Sequence, residues 1–182
     1  MSCITSNRNI EPHQLDFDWR FDLASRGLLG ECAADDENVL LLGCPSLVET
    51  LESQKHKGLL LERNPIHLGT SKFKVQYSDL RYFDTRAIIN AEYDLAILDA
   101  PWYPADLCNW INLALGLVRD RASIIFVLWP ESTRPSAKIE HAQIKASLDS
   151  VGLLTRVGSI SYEMPLFEKE SIETIGPSIG QR

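Results

Sequence analysis

The sequence lacks any apolar run near the roughly 20 residues that a bilayer-crossing helix needs, which speaks against a membrane protein. Its opening stretch, MSCITSNRNIEPHQ, has neither the basic nor the apolar region of an export signal, so a cytoplasmic location is expected. Cys3, Cys32, Cys44 and Cys108 show no C-x-x-C spacing, and His13, His56, His67 and His141 stand at no ligand spacing from them or from each other. Reduced thiols and no bound metal are the expectation. A basic excess is missing too. The net charge of −7 is unlike that of a free-standing nucleic-acid binder, whose affinity comes largely from neutralising phosphates. Either the substrate is not a long nucleic acid, or a partner protein holds it, or a local basic patch does the work. No repeat, linker or low-complexity block divides the 182 residues, so one domain over residues 17–182 is expected behind a flexible polar segment, 1–16.

What is present is an alternation of helical and strand patterns. Residues 17–36 suggest a helix with Leu23, Leu28 and Leu29 on its apolar face. NVLLLG at 38–43 and GLLLE at 58–62 have the continuous apolar character of buried strands, and FKVQY at 73–77 suggests a third. SLVETLESQ at 46–54 suggests a helix capped by Ser46. Residues 80–92 form a polar connection. DLAILD at 94–99 is a fourth strand, 105–120 an amphipathic helix, ASIIFVLW at 122–129 a fifth strand, and 136–152 a helix closed by Gly152. Residues 153–167 suggest two short strands joined near Val157–Gly158 with no helix between them, an antiparallel edge pair. The expected fold class is α/β: a Rossmann-like sandwich with a mostly parallel, seven-stranded sheet and an antiparallel edge pair.

In such a sheet ligands bind beyond the carboxyl ends of the strands, near the switch point. Gly43, Cys44, Pro45 and Ser46 follow the first strand, and Glu62 ends the second. An acid about 20 residues past a first-strand glycine suits a ribose diol, because a carboxylate accepts from both hydroxyls; the plain alternative is a solvated strand-end acid. GCPSLVE is not G-x-G-x-x-G, which argues against a dinucleotide and leaves a nucleoside without a diphosphate, of which S-adenosylmethionine is the common example. Ser78 and Asp79 follow the third strand; Asp79 can accept from an adenine amino group or simply cap a turn. Trp129 and its neighbours end the fifth strand, either lining a substrate mouth or turning the chain. Cys44 has no histidine near it in sequence and suits a small pocket wall better than a nucleophile.

The fourth strand runs into DAPWYP, Asp99–Pro104. DAPW resembles the [DNS]-P-P-[YFW] signature of amino-group methyltransferases, which follows the fourth strand of the class I S-adenosylmethionine fold. With LLLGCPSLVETL and LLLER, the chain over about 17–168 is similar to the N6-adenine methyltransferase family, which includes eukaryotic translation elongation-factor lysine methyltransferases and an rRNA adenine methyltransferase. The resemblance implies S-adenosylmethionine as cofactor, held by Gly43, Cys44, Pro45, Ser46, Glu62, Ser78, Asp79 and Asp99. It implies a catalytic tip of Asp99, Ala100, Pro101 and Trp102. Asp99 would accept one N–H of the target amine and the carbonyl of Ala100 or Pro101 another, turning the nitrogen lone pair toward the methyl. Trp102, Tyr103 and Trp129 would line the substrate, by stacking on a base or walling a lysine channel. Trp19 and Phe21 fall where related enzymes lay an aromatic segment over the cofactor. Ala100 departs from the family's proline; the carbonyl survives but turn rigidity is lost.

Three functions compete. One is an S-adenosylmethionine-dependent N-methyltransferase acting on adenine N6 or on lysine. Another is an inactive cofactor-binding or scaffold subunit of a partner complex. A third, a nucleotide-binding oxidoreductase, is opposed by the missing glycines.

Overall fold

Val39–Leu42, Leu59–Leu61 and Leu95–Leu98 have no polar alternation, the mark of strands covered on both faces. The computed structural model, which describes residues 20–33, 38–66, 68–83, 88 and 93–163, gives them both covers. In chain order it comprises β1 (Arg20–Phe21), α1 (Leu23–Cys32), β2 (Asn38–Leu42), α2 (Val48–Ser53), β3 (Lys57–Glu62), β4 (Phe73–Tyr77), β5 (Tyr93–Leu98), α3 (Pro104–Leu115), β6 (Val118–Phe126), α4 (Ala137–Leu148) and β7 (Tyr162–Glu163).

Five strands form one sheet in the order β4-β3-β2-β5-β6, and every pairing in it is parallel. The chain winds outward from β2 through β3 to β4, then returns to lay β5 on the other side of β2. The switch point therefore lies between β2 and β5. Successive side chains of a strand point to opposite faces. Leu40, Leu42, Leu59, Leu61, Ala96 and Leu98 pack with Leu107, Ile111 and Ala114 of α3 and Ile144 of α4. Val39, Leu41, Leu60, Leu95 and Ile97 pack with Leu29 of α1 and Val48 and Leu51 of α2. Each such buried leucine or isoleucine is worth about 1.5–3 kcal/mol. The result is a three-layer, Rossmann-like α/β sandwich.

Several expectations are corrected. The expected seven strands do not form one sheet. The parallel sheet has five, and β7 pairs antiparallel with β1 in a separate two-stranded ribbon. Residues 153–161 form no strand, and Leu153 is 92% exposed. Helix α3 stops at Leu115 rather than running to 120. Gly116 caps it, and Val118 already pairs with Tyr93. Arg121, at φ 67°, absorbs the register shift in that pairing, so β6 starts four residues earlier than expected. Leu23 is not on the apolar face of α1 but 75% exposed, because the helix begins there, at its N-cap Asp22. Helix α4 ends at Leu148, before Gly152 is reached. The segment 1–16, Trp19 and residues 164–167 lie outside the described residues.

Candidate functional site at the strand tips

A parallel sheet sends all its carboxyl ends to one edge, and here the ladder continues one residue past the strands. Gly43 N donates to Leu61 O at 2.9 Å, Asp99 N to Leu42 O at 3.1 Å, Ser78 N to Glu62 O at 2.9 Å and Val127 N to Leu98 O at 3.3 Å. Four predicted site residues, Gly43, Glu62, Ser78 and Asp99, are thus fixed in register along one edge.

Gly43 adopts φ +65°, a conformation that side-chain-bearing residues rarely take. A Cβ there would also lie 2.9 Å from the Trp110 ring and 3.3 Å from Asp99 O. Gly43→Ala is expected to cost about 1–3 kcal/mol through backbone strain and overpacking, read as a lower urea midpoint with an unchanged slope. A wild-type midpoint would contradict this packing.

The turn after Gly43 differs from expectation. Ser46 is not the helix cap. Pro45–Leu47 form a short 3₁₀ turn before α2, and the Ser46 hydroxyl accepts instead from Phe21 N at 3.3 Å. Cys44 is buried, and its thiol faces the carbonyls of Leu42 and Ile97. Desolvation, then the nearby Asp99 and Glu62, push that thiol's pKa well up, so it stays protonated and poorly nucleophilic.

Glu62 is buried at the end of β3. One of its oxygens accepts from the N–H groups of Arg63 and Asn64, each at 2.9 Å. A carboxylate has about four acceptor positions, so these bonds fix the side chain and leave capacity for a ligand. Asp79 is more fully used. It caps the 3₁₀ turn Leu80–Tyr82, accepting from Arg81 N at 3.1 Å, and both its oxygens accept from the Arg81 guanidinium. The Arg81 hydrogen bonds hold its carboxyl below the usual range. An adenine amino group would have to displace Arg81.

The DAPW tip leaves β5 at the switch point. Asp99 keeps a little accessible surface, yet the surrounding protein strips its hydration and pushes its pKa up to about 7, against an opposing hydrogen bond from Tyr162. That bond runs from the Tyr162 hydroxyl to Asp99 Oδ1 at 2.7 Å. Pro101 O already accepts from Tyr103 N, a three-residue turn that leaves Ala100 O as the candidate second acceptor for an amine. Trp102 is 36% exposed, and its carbonyl accepts from Arg134 at 2.7 Å. Arg134 also pairs with Glu140 at 2.7 Å and lies 4.7 Å above the Trp129 ring. Trp129 itself is only 1% exposed and leans on His141, so it supports the tip from below rather than lining an open mouth.

Tyr162 and Arg134 were not singled out from the sequence. Both reach the tip across more than thirty residues of chain, and no local pattern announces either.

Among the described residues no group of three or more His, Cys, Asp or Glu side chains is placed to hold a metal ion, and no helix is long and apolar enough to cross a membrane. No protein-family model matches the chain, and no curated protein sequence matches it. Among solved structures, an O-methyltransferase family protein from Burkholderia thailandensis is similar at 12% identity and a TM-score of 0.40, over 81% of this chain and 49% of that one. The chain thus spans about half the length of that structure.

Proposed function

We propose that this chain is an S-adenosylmethionine-dependent methyltransferase acting on an amino nitrogen. One observation carries the reading. A desolvated carboxylate on an Asp-Ala-Pro-Trp tip leaves the sheet at its switch point, beside a positive-φ glycine and in line with a buried strand-end acid.

The residues fit the cofactor. Glu62, held by its own turn, retains acceptor capacity for a ribose diol, and Gly43 and Ser78 sit in register on either side of it. When bound, the cofactor would supply an electrophilic methyl group on a sulfonium, the amine lone pair forming the new N–C bond as the C–S bond breaks, a neutral thioether leaves and the amine loses a proton. Asp99 would accept one N–H of the amine and Ala100 O a second, orienting the lone pair. A carboxyl with a pKa near 7 is also suited to take up the released proton. Trp102, exposed at the tip, would stack on or wall the amine-bearing group. The amine can be adenine N6 or a lysine, and a lysine must first lose the proton it holds below a pKa of about 10.4. The acidic balance of the chain favours a protein, a small RNA or a substrate delivered by a partner.

Calorimetry with S-adenosylmethionine tests the reading on wild type and on Glu62→Gln. Glutamine still accepts from Arg63 and Asn64 but loses the charge. Micromolar binding that weakens roughly 10- to 100-fold in the variant is expected, the worth of hydrogen bonds to a charged group. No binding to folded wild type would overturn it.

A second reading, an inactive binding or scaffold subunit, is favoured by the Tyr162 hydroxyl on Asp99 and by alanine at position 100. Cofactor binding without labelled-methyl transfer to RNA, DNA or protein would select it.

A further inference from the structure

The two-stranded ribbon is held unequally at its two strands. Strands β1 and β7 are two residues each, pairing Arg20 with Glu163 and Phe21 with Tyr162. Phe21 fixes β1 in the core, at 1% exposed, whereas the ties that hold the β7 side to it are largely polar. Asp22 N donates to Ser161 O at 3.2 Å, Ser161 N to Ser25 Oγ at 2.7 Å, and Phe21 N to Ser46 Oγ at 3.3 Å. Arg26 pairs with Glu163 at 3.0 Å on the surface, where such a pair contributes modestly. Yet β7 delivers one side chain to the middle of the candidate site. The Tyr162 ring stacks on Phe21 at 5.2 Å between centroids, with 23° between planes, and meets Trp102 at 6.4 Å in a tilted contact. Its hydroxyl donates to Asp99 Oδ1.

A planar ring against the tip's own aromatic, with a hydrogen-bond donor on Asp99, has the form expected of a bound amine substrate. Such an arrangement is not what the core requires. Both main hydrophobic clusters close on the faces of the sheet, and Tyr162 packs at the margin of one of them. We propose that Tyr162 is an internal occupant of the amine site, and that β7 is a strap which must release it before a substrate amine reaches Asp99. The proposal rests on the amine-acceptor reading of Asp99. It adds that the described form is the closed one. Apparent affinity for an amine is then reduced by the fraction of molecules in which the strap is open.

Two variants weaken the strap without altering the acceptor. Tyr162→Phe keeps the ring and removes the donor. Glu163→Ala removes the exposed partner of Arg26, away from the tip. Binding of two probes, adenosine and Nα-acetyl-lysine amide, is measured by calorimetry on wild type, each single variant, and Tyr162→Phe combined with Asp99→Ala, which removes the acceptor. Affinity for at least one probe is expected to rise roughly 10-fold in Tyr162→Phe and by at most about 5-fold in Glu163→Ala, the scale of an exposed ion pair. The gain is expected to vanish in the double variant, which separates binding at Asp99 from binding in a cofactor pocket. Hydrogen exchange at residues 159–163 should quicken in Glu163→Ala, confirming that the strap opens.

Unchanged or weaker binding of both probes in folded single variants would overturn the strap and mark Tyr162 as a structural residue. A gain that survives Asp99→Ala would overturn it too. Cofactor binding by wild type, measured in parallel, keeps the two questions apart. If the cofactor binds but the variants gain nothing, the strap fails and the methyltransferase reading stands. If the cofactor does not bind but the Asp99-dependent gain appears, the reverse holds.

Discussion

Replacing Asp99 with asparagine is expected to stabilise the chain at neutral pH and to abolish its proposed chemistry. The stability effect follows from linkage. The Asp99 carboxyl is raised from an unfolded value of about 3.9 to about 7, chiefly by desolvation. A raised carboxyl contributes fully below the unfolded pKa, where both states are protonated. Its contribution is lost as pH climbs to the folded pKa, because the unfolded chain ionises first. Three pKa units correspond to about 4 kcal/mol, an upper figure because Asp99 keeps some accessible surface. Asparagine has the same shape and can still accept from the Tyr162 hydroxyl, but it does not titrate. Urea unfolding of both proteins from pH 4 to pH 9 should show the variant gaining on wild type up to about pH 7, then holding a constant advantage. Asp22, Glu52, Asp79 and Glu140 shift downward, and their opposite pH dependence cancels in the comparison. A gap that does not change with pH would refute the desolvated carboxyl. Methyl transfer by the variant, wherever wild type shows it, should fall at least about 100-fold, the usual scale for losing a proton-accepting group. Wild-type transfer should rise with pH through about 7, as Asp99 ionises.

The other large effect concerns Gly58, whose sequence context gives no hint of its importance. It faces Val39 across the β2–β3 ladder, and a Cβ there would sit 1.8 Å from Val39 O and 2.7 Å from Val39 C. Those are backbone atoms of the central strand and cannot turn aside. A methyl group at position 58 would push β3 off β2, and with it Glu62 and the bond from Gly43 N to Leu61 O. Gly58→Ala should cost at least about 3 kcal/mol, beyond ordinary overpacking, or roughly 6–12 °C in Tm for a chain of this size. Gly27→Ala is the matching control. Gly27 lies within α1 with nothing within 4 Å of a new Cβ, so alanine there should stabilise by about 0.5–1 kcal/mol. Equal melting temperatures for the two variants would show that the β2–β3 contact is looser than described.

Local pattern was enough to assign the layers of this protein and the edge at which chemistry belongs. Unbroken apolar runs at β2, β3 and β5 demand cover on both faces, and the α3 pattern supplies part of it, so an α/β sandwich follows without any long-range information. Since parallel strands end together, Gly43, Glu62, Ser78 and Asp99 had to meet at one edge. Element ends were less legible, because Val118–Arg121 satisfy a helical pattern until Gly116 stops α3 and Tyr93 offers a ladder.

What each tip residue touches was settled by long-range packing instead. Asp79 became the partner of Arg81, and Trp129 went beneath Arg134. Tyr162 came to rest on Asp99, 63 residues away in sequence. Periodicity records which face of an element is buried, because burial repeats along a helix or strand. A single contact made once by a distant side chain has no period. It is fixed by how the packed layers bring remote segments together, and in this chain such contacts surround the carboxylate on which the proposed function turns.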